Sequence, residues 1–136
     1  MELNYSKDTT IHDIQTQFAT AFPGLKLKFF TKHHDAYKGS PAKFMIQEPG
    51  KTLGEIAPGI KTGYLIVEPD MITWQLERLL EEECGLHTQV FRKSGETWLE
   101  TSVSDDLTLE QQQAKVRASE SVHQEFVDPV DYREMD

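Results

Sequence analysis

The sequence predicts an α+β fold: a two-layer sandwich with two helices on one face of a mixed or antiparallel sheet of about five strands, and an extra C-terminal helix. Three observations carry this expectation. Apolar residues recur at helical spacing in two separate stretches, each closed by a glycine. A short apolar or alternating run follows each glycine. A shift of 61 residues then lays the first stretch over the second, residues 10–32 over 71–93, with five identities in 23 positions.

Taken in order, Ile11, Ile14, Phe18 and Phe22 form the apolar stripe of a first helix, with Thr9 and Thr10 as candidate N-caps and Pro23-Gly24 as its stop. Leu25-Lys26-Leu27-Lys28-Phe29-Phe30 alternates as a half-buried strand should, with Leu25, Leu27 and Phe29 inward. Residues 33–41 read as loop, Phe44-Met45-Ile46 as a short strand and the glycine-rich 50–63 as loop with one helical turn. Tyr64-Leu65-Ile66-Val67 is the most continuous apolar run and reads as a buried central strand. Pro69-Asp70 opens a second helix over about 71–84, with Ile72, Leu76, Leu79 and Leu80 as its stripe and Gly85 as its breaker. Residues 86–93 and 96–103 form a hairpin across Ser94-Gly95. Thr108-Leu109-Glu110-Gln111 matches a capping box and starts a last helix, whose thin stripe of Leu109 and Val116 predicts weak docking. The expected domain is 1–121, and 122–136 is an acidic, flexible tail.

The aligned segments repeat one order of features: helix, glycine stop, strand, aromatic, base. Ile11 falls on Ile72, Gly24 on Gly85, Leu25 on Leu86, Phe30 on Phe91 and Lys32 on Lys93. Leu3 falls on Tyr64, so a strand is expected before each helix. The unit that this describes is a duplicated β-α-β-β.

Composition bounds the function. Hydrophobic residues make up 38% and charged residues 27% of 136, enough for one modest core. No apolar run approaches a bilayer span, the N-terminus lacks the pattern of a secretory signal, and a single cysteine, Cys84, fits a reducing compartment. The expectation is a cytoplasmic protein with no membrane partner. The net charge of −9 is unevenly spread: residues 100–136 carry −7, whereas 25–61 hold seven lysines against three acids. Such asymmetry marks an anionic partner or a solvated surface. A nucleic-acid role is disfavoured by the net charge and by the lack of an RNP-like pattern around Lys26, Lys28 and Phe30.

The hairpin offers the sharpest candidate site. A Ser94-Gly95 loop sets Lys93 opposite Glu96, Phe91 opposite Trp98 and Val90 opposite Leu99. Leu86, Thr88, Val90, Leu99, Thr101 and Val103 then share the core face, and Phe91 and Trp98 share the outer face with polar neighbours. Large aromatics on an outer face serve as interface anchors, so the leading reading is a non-enzymatic module binding a protein partner or a second copy of itself. The alternative is a small enzyme or anion-binding protein with a pocket near 33–41 and 92–95, where Lys32, His33, His34, Arg92 and Lys93 hold a small anionic ligand.

Other constellations argue against chemistry. His33-His34-Asp35 is the densest group of metal-ligand types, but adjacent residues diverge and His12, His87 and His123 bear no spacing relation to it, so no metal is expected. Cys84 sits at a helix C-terminus, where the macrodipole disfavours a thiolate. Glu81-Glu82-Glu83 reads as a solvated face, and Gly39-Ser40-Pro41 with Lys51 and Gly54 matches no phosphate-loop pattern. No nucleophile elbow, HExxH or CxxC is present, so no catalytic residue and no cofactor is expected.

Overall fold

The computed structural model describes residues 1–35 and 38–125, with side chains through residue 120. The chain is α+β: β1 (Glu2–Tyr5), α1 (Ile11–Ala21), β2 (Leu25–Phe30), α2 (Leu53–Ile56), β3 (Gly63–Ile66), α3 (Thr73–Cys84), β4 (His87–Ser94), β5 (Thr97–Glu100) and α4 (Leu109–Glu125). A 3-10 turn, Ala42–Phe44, lies between β2 and α2. Among the described residues, five antiparallel strands divide into a two-stranded sheet, β1-β3, and a three-stranded sheet, β2-β4-β5, rather than one continuous sheet.

Local chemistry accounts for most boundaries. Thr10 caps α1 by accepting from the Asp13 N–H at 3.1 Å, while the Asp13 carboxylate accepts from the Thr10 N–H. Gly85 ends α3 at φ 72°, a left-handed C-cap that L side chains adopt at a cost. Thr108 caps α4 in the same reciprocal way with Gln111, and Thr52 caps α2 by accepting from Glu55 N–H.

The backbone pairing follows the 61-residue shift. Lys28 faces Gln89, its equivalent 61 residues on, and Leu3↔Leu65 with Asn4↔Tyr64 straddle the same interval. Strands that the shift makes equivalent, β1 with β3 and β2 with β4, thus pair with each other. The loop bonds repeat as well: Leu53 N–H donates to Thr9 O as Leu109 N–H donates to Met71 O, and Gly54 N–H to Lys7 O as Glu110 N–H to Pro69 O. The shared unit is β-α-β followed by a Thr-Leu-capped helix. The strand expected at 44–46 is reduced to one bridge, Met45 to Phe30, so β5 has no full counterpart. The strand expected near Leu3 is present as β1.

One core joins the two units. Ile14 and Phe18 of α1, Leu76 and Leu80 of α3, Leu3 of β1 and Leu25, Leu27 and Val90 of the larger sheet are all fully excluded from solvent. Some expectations shift. β3 is not a central strand, because only β1 flanks it and Tyr64 and Ile66 are exposed. Ile72, not Asp70, precedes the first turn of α3, and Leu79 is only half-buried. The last helix docks firmly: Leu109 and Gln112 are fully buried, and Val116 packs where a Cβ on Gly24 would stand 2.9 Å from its Cγ1. The expected boundary at 121/122 falls inside α4, and the tail from 126 onward lies outside the described residues. Among the described residues, no helix is long and apolar enough to cross a membrane.

Truncating the core side of α3 tests this facing. Leu80→Ala is expected to cost about 3 kcal/mol and Leu79→Ala about 1 kcal/mol or less, read from urea melts. Equal losses would mean that α3 is rotated from the described orientation.

Candidate functional sites on the larger sheet

The hairpin turns one residue later than the spacing predicts. Ser94 pairs with Thr97 and Lys93 with Trp98, leaving Gly95 and Glu96 in the turn. Gly95 adopts φ 61°, which a two-residue hairpin loop requires at its first position and which serine there would resist. The pairing moves by two residues, so the faces are kept. Phe91, now opposite Glu100, and Trp98 still lie on the outer face, while Val90 points to the core. Val103, expected inside, is 68% exposed because the strand ends at Glu100.

On that outer face Trp98 is 37% exposed and Phe91 is buried. Lysines from β2 cover the rings: Lys26 Nζ lies 5.2 Å from the Trp98 ring centre and Lys28 Nζ 4.6 Å from that of Phe91. Lys32 and Lys43 flank the Phe44 ring, at 4.5 and 5.1 Å. Between β5 and the segment 40–45 runs an open groove of about 430 Å3, with Met45, Phe91, Trp98 and Leu99 as its apolar lining. Lys93 is exposed opposite Trp98. Arg92, expected in a binding pocket, is instead buried on the core face, where its Nη1 donates to Gln112 Oε1 at 3.1 Å and Ser104 Oγ at 3.2 Å. Alternation along the strand places it there, since Arg92 shares its side with Val90 and Thr88.

A second, polar site lies at the other end of β4. The pairing of Phe30 with His87 brings the loop after β2 against the last turn of α3. Glu81 Oε2 accepts from His33 Nδ1 at 2.7 Å, and Glu81 Oε1 accepts from His87 Nδ1 at 2.7 Å. His33 Nε2 reaches Asp35 Oδ1 at 3.3 Å. The Glu81 carboxylate therefore raises the His33 imidazole above its usual range. Partial burial works to raise the Glu81 carboxyl, but the bonds from His33 and His87 outweigh it and hold it low. His34 turns inward, its Nε2 donating to Thr88 O at 3.3 Å and lying 3.5 Å from Glu77 Oε1, and burial lowers its pKa.

Glu77 is the buried acid of the site. Its Oε2 accepts from Val90 N–H at 2.8 Å and from Gln89 Nε2 at 3.2 Å, replacing the ladder bond where β5 departs. Burial, reinforced by the charge of Asp105, raises its pKa well above the ordinary value, against the pull of the Val90 N–H. These groups line a polar pocket of about 150 Å3 together with Lys32, Trp74 and Arg78.

The expected anion pocket is thus divided. Residues 33–41 contribute His33, His34, Asp35 and Ser40 to this pocket, but 92–95 lie away from it. Asp35, Glu81 and Glu82 stand against Lys32 and Arg78 in the lining, and His33 and His87 already face the Glu81 carboxylate, so the pocket has no surplus of positive charge to hold an anion. Sheet register rather than chain spacing brings His87 to His33, so histidines with no spacing relation in the sequence meet here. Sequence reasoning missed Glu77, Glu81 and His87. The duplication held the signal: equivalent strands paired about Lys28 and Gln89 put Phe30 beside His87. Cys84 is buried near Tyr5, and burial pushes its thiol up to about 11, leaving it protonated and unreactive at neutral pH. No family model, curated protein or solved structure matches this chain.

A raised folded-state pKa at Glu77 means that the folded chain binds more protons than the unfolded one above pH 4.5, so its contribution to stability falls as pH rises through the folded value. Glu77→Gln removes that loss. Urea melts at pH 5 and pH 8 are expected to show the variant gaining on the wild type at the higher pH. Parallel profiles would contradict a buried, raised carboxyl.

Proposed function

We propose that the protein is a non-enzymatic interaction module whose outer sheet face binds an acidic segment of a partner protein. The carrying observation is the pairing of aromatic rings with lysines: Trp98 and Phe91 beside the groove, with Lys26 and Lys28 stacked on them. Exposed tryptophan at the rim of an apolar groove supplies a rigid anchor with little entropy to lose. The lysines around it set the sign of the partner. Lys26 and Lys28 lie over the Trp98 and Phe91 rings, Lys93 stands opposite Trp98, and Glu100 is the acid within the lining. An acidic strand with one or two apolar side chains complements both features, and rim charges of this kind act mainly on association rate and salt dependence.

Fluorescence anisotropy of a labelled peptide alternating glutamate and leucine tests the reading. Saturable binding that weakens with salt is expected, with losses of about tenfold or more in Trp98→Glu and Lys26→Glu. Thermal melts of both variants are expected to stay within a few degrees of the wild type. Wild type that ignores the peptide, or Trp98→Glu that binds it unchanged, would contradict the proposal. A wild-type dimer that Trp98→Glu dissociates would assign the face to a second copy instead, and tighter binding of single-stranded RNA than of the peptide would assign it to nucleic acid.

A further inference from the structure

We propose that His33, Glu81 and His87 form a binding site for one divalent transition-metal ion of the zinc class, separate from the aromatic face. The three side chains come from three elements: the loop after β2, the last turn of α3 and the first residue of β4. Their ligand atoms lie within 4.8 Å of one another. Both imidazoles present Nδ1 to the same carboxylate, at 2.7 Å from its two oxygens. A metal sits roughly 2.0–2.2 Å from nitrogen and oxygen ligands, so it needs donor atoms about 3.0–3.6 Å apart. The two 2.7 Å contacts open by a fraction of an ångström and the remaining donor pair, no more than 4.8 Å apart, closes to that spacing. Each imidazole keeps its proton on Nε2 and gives Nδ1 to the metal.

The chemistry of the donors selects the ion. Two imidazoles and one carboxylate suit zinc and its neighbours, whereas magnesium and calcium prefer all-oxygen shells. Three protein ligands leave a coordination position open, as in sites that exchange a water or a small ligand.

Two features outside the donor triad point the same way. Asp35 Oδ1 stands 3.3 Å from Nε2 of His33, the outer-shell carboxylate that fixes a metal-bound imidazole in the tautomer with Nδ1 free. The polar pocket beside the cluster brings Asp35 and Glu82 close to the donors and offers room for a metal-bound water. The repeat adds a contrast. Sixty-one residues earlier, Glu81 and His87 correspond to Thr20 and Lys26, so the cluster has no copy in the first unit. Residues required only by the shared fold would have equivalents there.

Isothermal titration calorimetry of the full chain with Zn2+ alone tests the site, with Co2+ absorption as a second readout of the ligand set. One equivalent of Zn2+ is expected to bind, with affinity falling about a hundredfold in His87→Ala and in Glu81→Gln, and about tenfold in Asp35→Asn. His12→Ala and His123→Ala are expected to leave it unchanged. Circular dichroism melts confirm that each variant is folded. Should one variant unfold, histidine 15N shifts in the wild type report the same site, since Zn2+ is expected to move Nδ1 of His33 and His87. A wild type that binds no Zn2+, binding untouched by His87→Ala and Glu81→Gln, or binding lost with His12→Ala or His123→Ala would overturn the proposal. Because Trp98→Glu leaves these ligands intact, its Zn2+ affinity is expected to match the wild type, which separates this site from the peptide-binding face.

Discussion

Six antiparallel pairs join β2 to β4, from Leu25↔Arg92 to Phe30↔His87, and both candidate sites follow from that register. At one end it places His87 beside the exit of β2, where His33 and Glu81 converge on it. Along its outer face it lines up Lys26 with Phe91 and Lys28 with Gln89, so that lysine stems and aromatic rings interleave. A slip of one residue would turn Leu25, Leu27 and Val90 to solvent. A slip of two would keep the core but carry the exit of β2, and His33 with it, roughly 7 Å along the strand, out of reach of Glu81 and His87. The apolar alternation of Leu25, Leu27 and Phe29 forbids the first. The loop bonds that tie Gly24 O to Lys93 N–H at 2.8 Å oppose the second.

Polar groups in the interior follow from the same geometry. β4 is longer than β5, and its unpaired stretch must satisfy its backbone elsewhere. Glu77 does so by accepting from Val90 N–H, and Thr101 by donating to Val90 O from both its N–H and its hydroxyl, at 3.2 and 2.9 Å. On the opposite side, α4 closes the core with Gln112, which bonds to Arg92, Thr73 and Ser104. Docking by a buried amide network explains how a helix with so thin an apolar stripe is held.

Much of the fold was legible because its signals are local. Helical spacing, the Thr10 and Thr108 caps, the Gly24 and Gly85 stops and the alternation of β2 each depend on a few neighbouring residues. The outer-face placement of Phe91 and Trp98 was legible for the same reason, since parity survives a two-residue error in pairing. The turn itself was misplaced because Ser94-Gly95 and Gly95-Glu96 both contain the glycine, and only the need for positive φ at the first position separates them. Division of the strands into two sheets, the burial of Arg92 and the meeting of His33, Glu81 and His87 depend on contacts tens of residues apart. No periodicity records those. The duplication was the one long-range signal in the sequence, and it carries the β2–β4 register once equivalent strands are paired with each other.

The register can be observed directly by nuclear Overhauser spectroscopy on the labelled protein, reading cross-strand contacts between β2 and β4. Contacts linking the backbone of Lys28 with Gln89 and of Phe30 with His87 are expected. Contacts joining Phe30 to Gln89 or to Gly85, the registers two residues away, would contradict the account, because neither leaves His33 beside Glu81 and His87.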